Sequence, residues 1–222
     1  MTEAEWLQTD DPIRMLRFLG RRAKDRQYRL FAVACARDEL DQAHKTRNCF
    51  NFGRIGDGMR EVFWHPLRGY EAAIEDAEAW ADGREAQRTA YSTWFVGWYK
   101  GIDDVADIAY AALGYDPDGL VQVHPEIIAT TIQGYQTNPA HYLRDVFGNP
   151  FRPVAFPPEW RTDTAVALAS QMYECRDFSA MPILADALQD AGCTSDDILN
   201  HCRGAGVHVR GCWVVDLVLG KE

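Results

Sequence analysis

Several things are missing from this chain, and each absence excludes a class of function. There is no C-x-x-C pair, no G-x-S-x-G elbow, no P-loop and no G-x-G-x-x-G turn. Serine-nucleophile and nucleotide-dependent enzymes therefore have no motif to rest on. No apolar run approaches the roughly 20 residues that span a bilayer, so no membrane association is expected. Surplus positive charge is missing too. The formal net charge is −10, whereas nucleic-acid binders draw affinity from excess Lys and Arg, so no nucleic-acid partner is expected. The opening MTEAEWLQTDDP is acidic where a secretory leader is basic and then apolar, which points to a cytoplasmic protein. In that compartment the six cysteines are read as free thiols rather than as a disulfide scaffold.

What remains is helical pattern. With 222 residues, 47% hydrophobic and 25% charged, the chain is long enough to bury its own core. The fold class expected is all-α: a compact multi-helix domain over residues 1–222 with one extended, proline-rich crossover segment. IRMLRFL sets Ile13, Leu16 and Leu19 on a stripe with Met15 and Phe18 beside them, following a proline in the first turn. DRQYRLFAVACARDELDQAH places Leu30, Phe31, Ala34 and Cys35 on a buried face with Leu40 further along, which makes Cys35 a core residue. Tyr70, Ala73, Ile74, Ala77 and Trp80 predict a helix ending near Gly83. Shorter helices are predicted in VHPEIIATTIQGY and NPAHYLRDVF.

GNPFRPVAFPPEW, with Pro150, Pro153, Pro157 and Pro158, excludes helix and predicts an extended path. Its Phe151, Phe156 and Trp160 are too apolar for a free tether. The segment 148–158 is expected to lie pinned between two packed halves, 1–147 and 159–222. Beyond it, Thr162 or Asp163 caps a helix in RTDTAVALASQMYE, and SAMPILADALQDAG forms another that ends at Gly192.

Charge is unevenly spread. Arg14, Arg17, Arg21, Arg22, Lys24, Arg26 and Arg29 stand against Asp25 alone, while Glu71 to Asp118 is rich in Asp and Glu. A charge run of this kind usually faces water, and a site for an anion or acidic partner is the sharper alternative.

Tyr91, Trp94, Trp98 and Tyr99 crowd nine residues, and Tyr91, Trp94 and Trp98 share a helix face. Such a stripe is either core or a binding hot spot. The leading functional reading takes it as the latter. The protein would be a non-enzymatic helical interaction module, its protein partner held by these rings and steered by Asp103, Asp104 and Asp107, with no cofactor.

The alternative lies in CTSDDILNHCRGAGVHVRGCWVVDLVLGK, residues 193–221, which gathers three cysteines and two histidines. Zinc takes four Cys or His ligands in a tetrahedron, and the candidates are Cys193, His201, Cys202, His208 and Cys212. His201 and Cys202, being adjacent, would face different sides of a helix. A thiol enzyme is the other chemical option, with Cys202 or Cys212 as nucleophile, His201 or His208 as base and Asp216 orienting it. Arg203 or Arg210 would then lower the thiol pKa or hold an anionic substrate. Residues 207–219 read either as a final helix, which would set His208 and Cys212 one turn apart, or as a buried strand, since WVVDLVL is rich in β-branched residues.

DVFGNPFRPV, MPILADALQDAGC and DILNHCRGAGVHVRGCWVVDLVLGKE, with MTEAEWL and YRLFAVACAR, resemble an uncharacterised family abundant as paralogues in planctomycete bacteria. The likeness covers roughly the first 45 residues and those from about 140 onward. It implies no activity. Members of that family commonly pair two cysteines in the first long helix, where this chain has Cys35 followed by Ala36.

Overall fold

The computed structural model describes residues 1–46, 71–72, 74–83, 126, 128–129, 132 and 138–221. Among these the ordered elements are helices, as the periodicity predicts, and no strand is present. No described helix is long and apolar enough to cross a membrane. The chain folds as two units, one made of Met1–Met15 with Asn138–Glu222 and the other of Leu16–Thr137. The crossover segment 148–158 thus runs inside the first unit, and the N-terminal helix belongs with the C-terminal half of the sequence.

The first unit begins with α1 (Glu3–Gln8), which Thr2 and Glu5 start by a reciprocal capping box. Asp11 accepts from the Arg14 N–H at 3.0 Å and so opens α2 (Pro12–Leu19), whose later turns pass into the second unit. α1 is anchored by Trp6, fully buried, whose indole N–H donates to the Gly148 carbonyl at 3.0 Å. The Arg144 guanidinium satisfies the carbonyls of Trp6 and Thr9 as that helix ends. Asn138 donates to the Asp10 carbonyl at 3.0 Å, which brings the two pieces of this unit side by side.

In the second unit α3 (Asp25–Thr46) is buried without a break from Tyr28 to Ala36, including Cys35. A helix apolar on every side at its centre is a core helix. Arg29 lies over the Trp80 ring at 5.0 Å, and Arg37 pairs with buried Glu78 at 2.9 Å. Ile74 and Ala77 are buried as their spacing predicts, and Gly83 turns with φ 69°. Tyr91, Trp94, Trp98, Tyr99, Asp103, Asp104 and Asp107 lie outside the described residues.

The remainder of the first unit is a packed helical cluster. α4 (Ala140–Phe147) is followed by the proline-rich segment, then α5 (Asp163–Cys175), α6 (Met181–Asp190), α7 (Asp196–Arg203) and α8 (Trp213–Leu219). Thr162 caps α5, accepting from the Ala165 N–H at 3.2 Å. Buried positions recur at helical spacing: Ala165, Ala169, Met172 and Tyr173 on α5, Met181, Leu184, Ala185 and Leu188 on α6, and Ile198, Leu199 and Cys202 on α7. Val214, Val215 and Val218 of α8 complete this core.

The proline-rich stretch runs extended within the first unit. Asn149 and Arg152 both reach Glu3, while Val154, Phe156 and Trp160 pack against the core. One correction applies to its end, where Pro158–Trp160 closes a 3-10 turn. Proline starts such a turn readily because its missing N–H is not needed there.

A second correction concerns the last helix. α8 begins only at Trp213, preceded by a tight turn in which the Cys212 N–H donates to the Val209 carbonyl at 2.9 Å. Gly211 sits at φ 95° in that turn, a conformation that interrupts a helix. His208 and Cys212 are therefore brought together by a turn and not by one helical face.

Candidate metal centre

One carboxylate, two imidazoles and one thiol converge in the first unit. A ligand atom from each of Asp145, His201, His208 and Cys212 lies within 4.8 Å of every other. Asp145 comes from the buried face of α4, His201 from the last turn of α7, His208 from the irregular segment after it, and Cys212 from the residue that precedes α8. α7 stops at Gly204, whose N–H returns to the Asn200 carbonyl at 2.9 Å, and the chain then doubles back past α4.

The distances describe a small polyhedron. His201 Nε2 is 3.2 Å from Cys212 Sγ and 3.2 Å from Asp145 Oδ1. His208 Nδ1 is 2.7 Å from that same Asp145 oxygen and 3.9 Å from Cys212 Sγ. With zinc bonds of about 2.0–2.1 Å to N and O and about 2.3 Å to S, the edges of a tetrahedron are about 3.3–3.6 Å. Four of the six edges run from 2.7 to 3.9 Å, and the other two are no longer than 4.8 Å.

Each imidazole directs a single nitrogen at both the carboxylate and the thiol. A nucleophile relay requires the opposite, one ring nitrogen on the thiol and the other on the acid. The four groups are placed so that they could hold a metal ion. The other carboxylate oxygen, Asp145 Oδ2, accepts the Val209 N–H at 2.8 Å, which fixes the orientation of the group.

The centre is sheltered. The side chains of Asp145 and His208 are 3% and 7% exposed, that of His201 is 19% exposed, and Cys212 is fully buried. The Trp213 ring lies 5.1 Å from the His201 ring and the Phe178 ring 6.5 Å from that of His208. His208 Nε2 is buried with no hydrogen-bond partner among the described residues. Its ring is oriented by packing and by the cluster itself.

Burial opposes ionisation of Asp145, but hydrogen bonds and charge from His201 and His208 outweigh it and hold the carboxyl below its usual range. Burial pushes the Cys212 thiol well up, and the charge of Asp145 adds to this. The Cys202 thiol is pushed up to about 12, by burial first and then by Cys193 and Asp145. Without a metal neither sulfur is a ready thiolate.

Of the metal candidates in the sequence, His201, His208 and Cys212 share the centre, while Cys193 and Cys202 are core side chains outside the four converging groups. His201 and Cys202 face different ways, as their adjacency on a helix requires. The Arg210 guanidinium lies over the Tyr173 ring at 4.3 Å. Asp216 is buried on α8 and is not one of the four. The acid beside the histidines is Asp145, which sequence reasoning missed. Its signal was a charge between Tyr142 and Val146 on the apolar face of α4, since a carboxylate on a buried face needs a partner. Compared with known proteins, the chain matches no protein-family model, no curated protein and no solved structure.

Proposed function

We propose that this protein binds one divalent transition-metal ion, zinc by the character of its ligands, through Asp145, His201, His208 and Cys212. The observation that carries the reading is the convergence of one donor atom from each residue to within 4.8 Å of the others. Nitrogen, sulfur and a single carboxylate oxygen form a mixed set that suits zinc, whereas calcium and magnesium demand oxygen ligands throughout.

A thiol enzyme fits less well. Both histidines use one nitrogen for acid and thiol alike, and burial raises the pKa of both candidate sulfurs. All four ligands fall inside DVFGNPFRPV and DILNHCRGAGVHVRGCWVVDLVLGKE, the motifs on which the planctomycete resemblance rests. We propose that the centre belongs to that shared part of the chain. The interaction reading depends on Trp94 and Trp98, which lie outside the described residues.

The test is elemental analysis of the full chain purified without a histidine tag, followed by zinc titration of the chelated protein. One zinc per chain, lost in His208→Ala and kept in Cys202→Ala, is the expected result. A chain that takes up no zinc at micromolar concentration refutes the reading.

A further inference from the structure

Zinc sites that perform chemistry keep three protein ligands and leave one position for water or substrate, whereas four protein ligands close the tetrahedron. Here Asp145, His201, His208 and Cys212 already supply four. Asp145 is not poised to swing aside, because the Val209 N–H holds its second oxygen at 2.8 Å. The rings of Trp213 and Phe178 flank the two imidazoles.

The elements joined at this point are far apart in sequence. α4 lies ahead of the proline-rich segment, and the stretch between Gly204 and Cys212 forms no helix. Its Gly204, Ala205, Gly206 and Val207 are exposed, so it has little apolar burial of its own until His208. Beyond that point its path is fixed by His208 and Cys212, by the Val209 N–H bond to Asp145 and by buried Arg210 over the Tyr173 ring.

Resting on the metal reading above, we infer that the ion is a closed structural zinc that fastens the irregular segment Gly204–Cys212 to α4 and α7, so that the first unit packs fully only with metal bound. No substrate reaches the ion. Metal loss and loss of packing are one event, as expected where the site does not exist in the unfolded chain.

Cobalt(II) in place of zinc in the full chain tests this. The expected spectrum has strong visible bands of four-coordinate cobalt and a thiolate-to-cobalt band in the near ultraviolet, both unmoved by excess azide. Chelation should then remove the near-ultraviolet circular dichroism contributed by the packed rings of the first unit, such as Trp6, Tyr142 and Tyr173, and zinc should restore it. Bands that shift with azide, or a chelated chain that keeps its near-ultraviolet signal and melting transition, would overturn the structural role while leaving metal binding in place. A chain that binds neither cobalt nor zinc would instead remove the metal reading itself, and this inference with it.

Discussion

Cys212 differs from Cys193 and Cys202, the other cysteines of the C-terminal stretch, in aim rather than in burial. Cys202 is as deeply buried as Cys212 but points into the apolar core. Replacing any of the four ligands with Ala should weaken zinc binding by more than about 100-fold, since losing an outer partner of a metal ligand already costs about 10–100-fold. Cys202→Ala should cost on the order of 1 kcal/mol of stability and leave metal stoichiometry unchanged. Competition with a chromophoric chelator, alongside urea unfolding, separates the two effects.

Glu5 offers a prediction of a different kind. The Thr2 backbone N–H first, and Arg14 second, hold its carboxyl below the ordinary value of 4.5. A group whose pKa is depressed by folding contributes stability above its unfolded pKa, and that contribution is lost as pH falls through the folded value. The support Glu5 gives α1 should therefore fade only below pH 4.5. A carbon-13 titration should place the Glu5 midpoint below that value, and Arg14→Ala should move it part of the way back.

Among the elements, α5 depends on its cap. Thr162→Ala should cost about 1 kcal/mol in denaturant unfolding, because the Ala165 N–H loses its acceptor. At the end of α4, Gly148 has φ 62° and ψ −146°, a region open only to glycine, and a Cβ there would stand 3.2 Å from the Trp213 ring. Gly148→Ala should destabilise by about 1–3 kcal/mol. Because Trp213 also packs on His201, it should lower zinc affinity as well. An unchanged affinity in the chelator competition would show that Trp213 does not position that ring.

Helix positions were legible in the sequence wherever the apolar spacing was regular, as in Met181, Leu184, Ala185 and Leu188. The stretch around Gly211 was not, since Val209, Cys212 and Trp213 fit a helical stripe as well as they fit a turn followed by a helix. The positive φ at Gly211 decided it. Three of the four candidate ligands could be read because they lie within one short stretch. The fourth could not, because nothing local links Asp145 to residues beyond the proline-rich segment. Only the packing of α4 against them brings it there.

At the scale of the whole molecule, the first unit is built from two separated pieces of chain. Asn138 touches the Asp10 carbonyl, so the pieces meet close to where the chain departs for the second unit and where it returns. A chain in which a short Gly/Ser linker replaces Leu16–Thr137 should remain helical and still bind one zinc. Circular dichroism and metal analysis would check this, and an unfolded product would mean that the first unit needs the second in order to fold.

The meeting of Asp10 and Asn138 bears on how such a sequence can diverge. A chain that exits and re-enters at one place closes the same gap whatever lies between, and loop-closure entropy grows only slowly, by about 0.6 kcal/mol for each doubling of the intervening length. The stretch between can be lengthened, shortened or exchanged while Asp145 is still delivered to its histidines. The four converging side chains place their demands on the two flanks alone, and the length of the interior is free to vary.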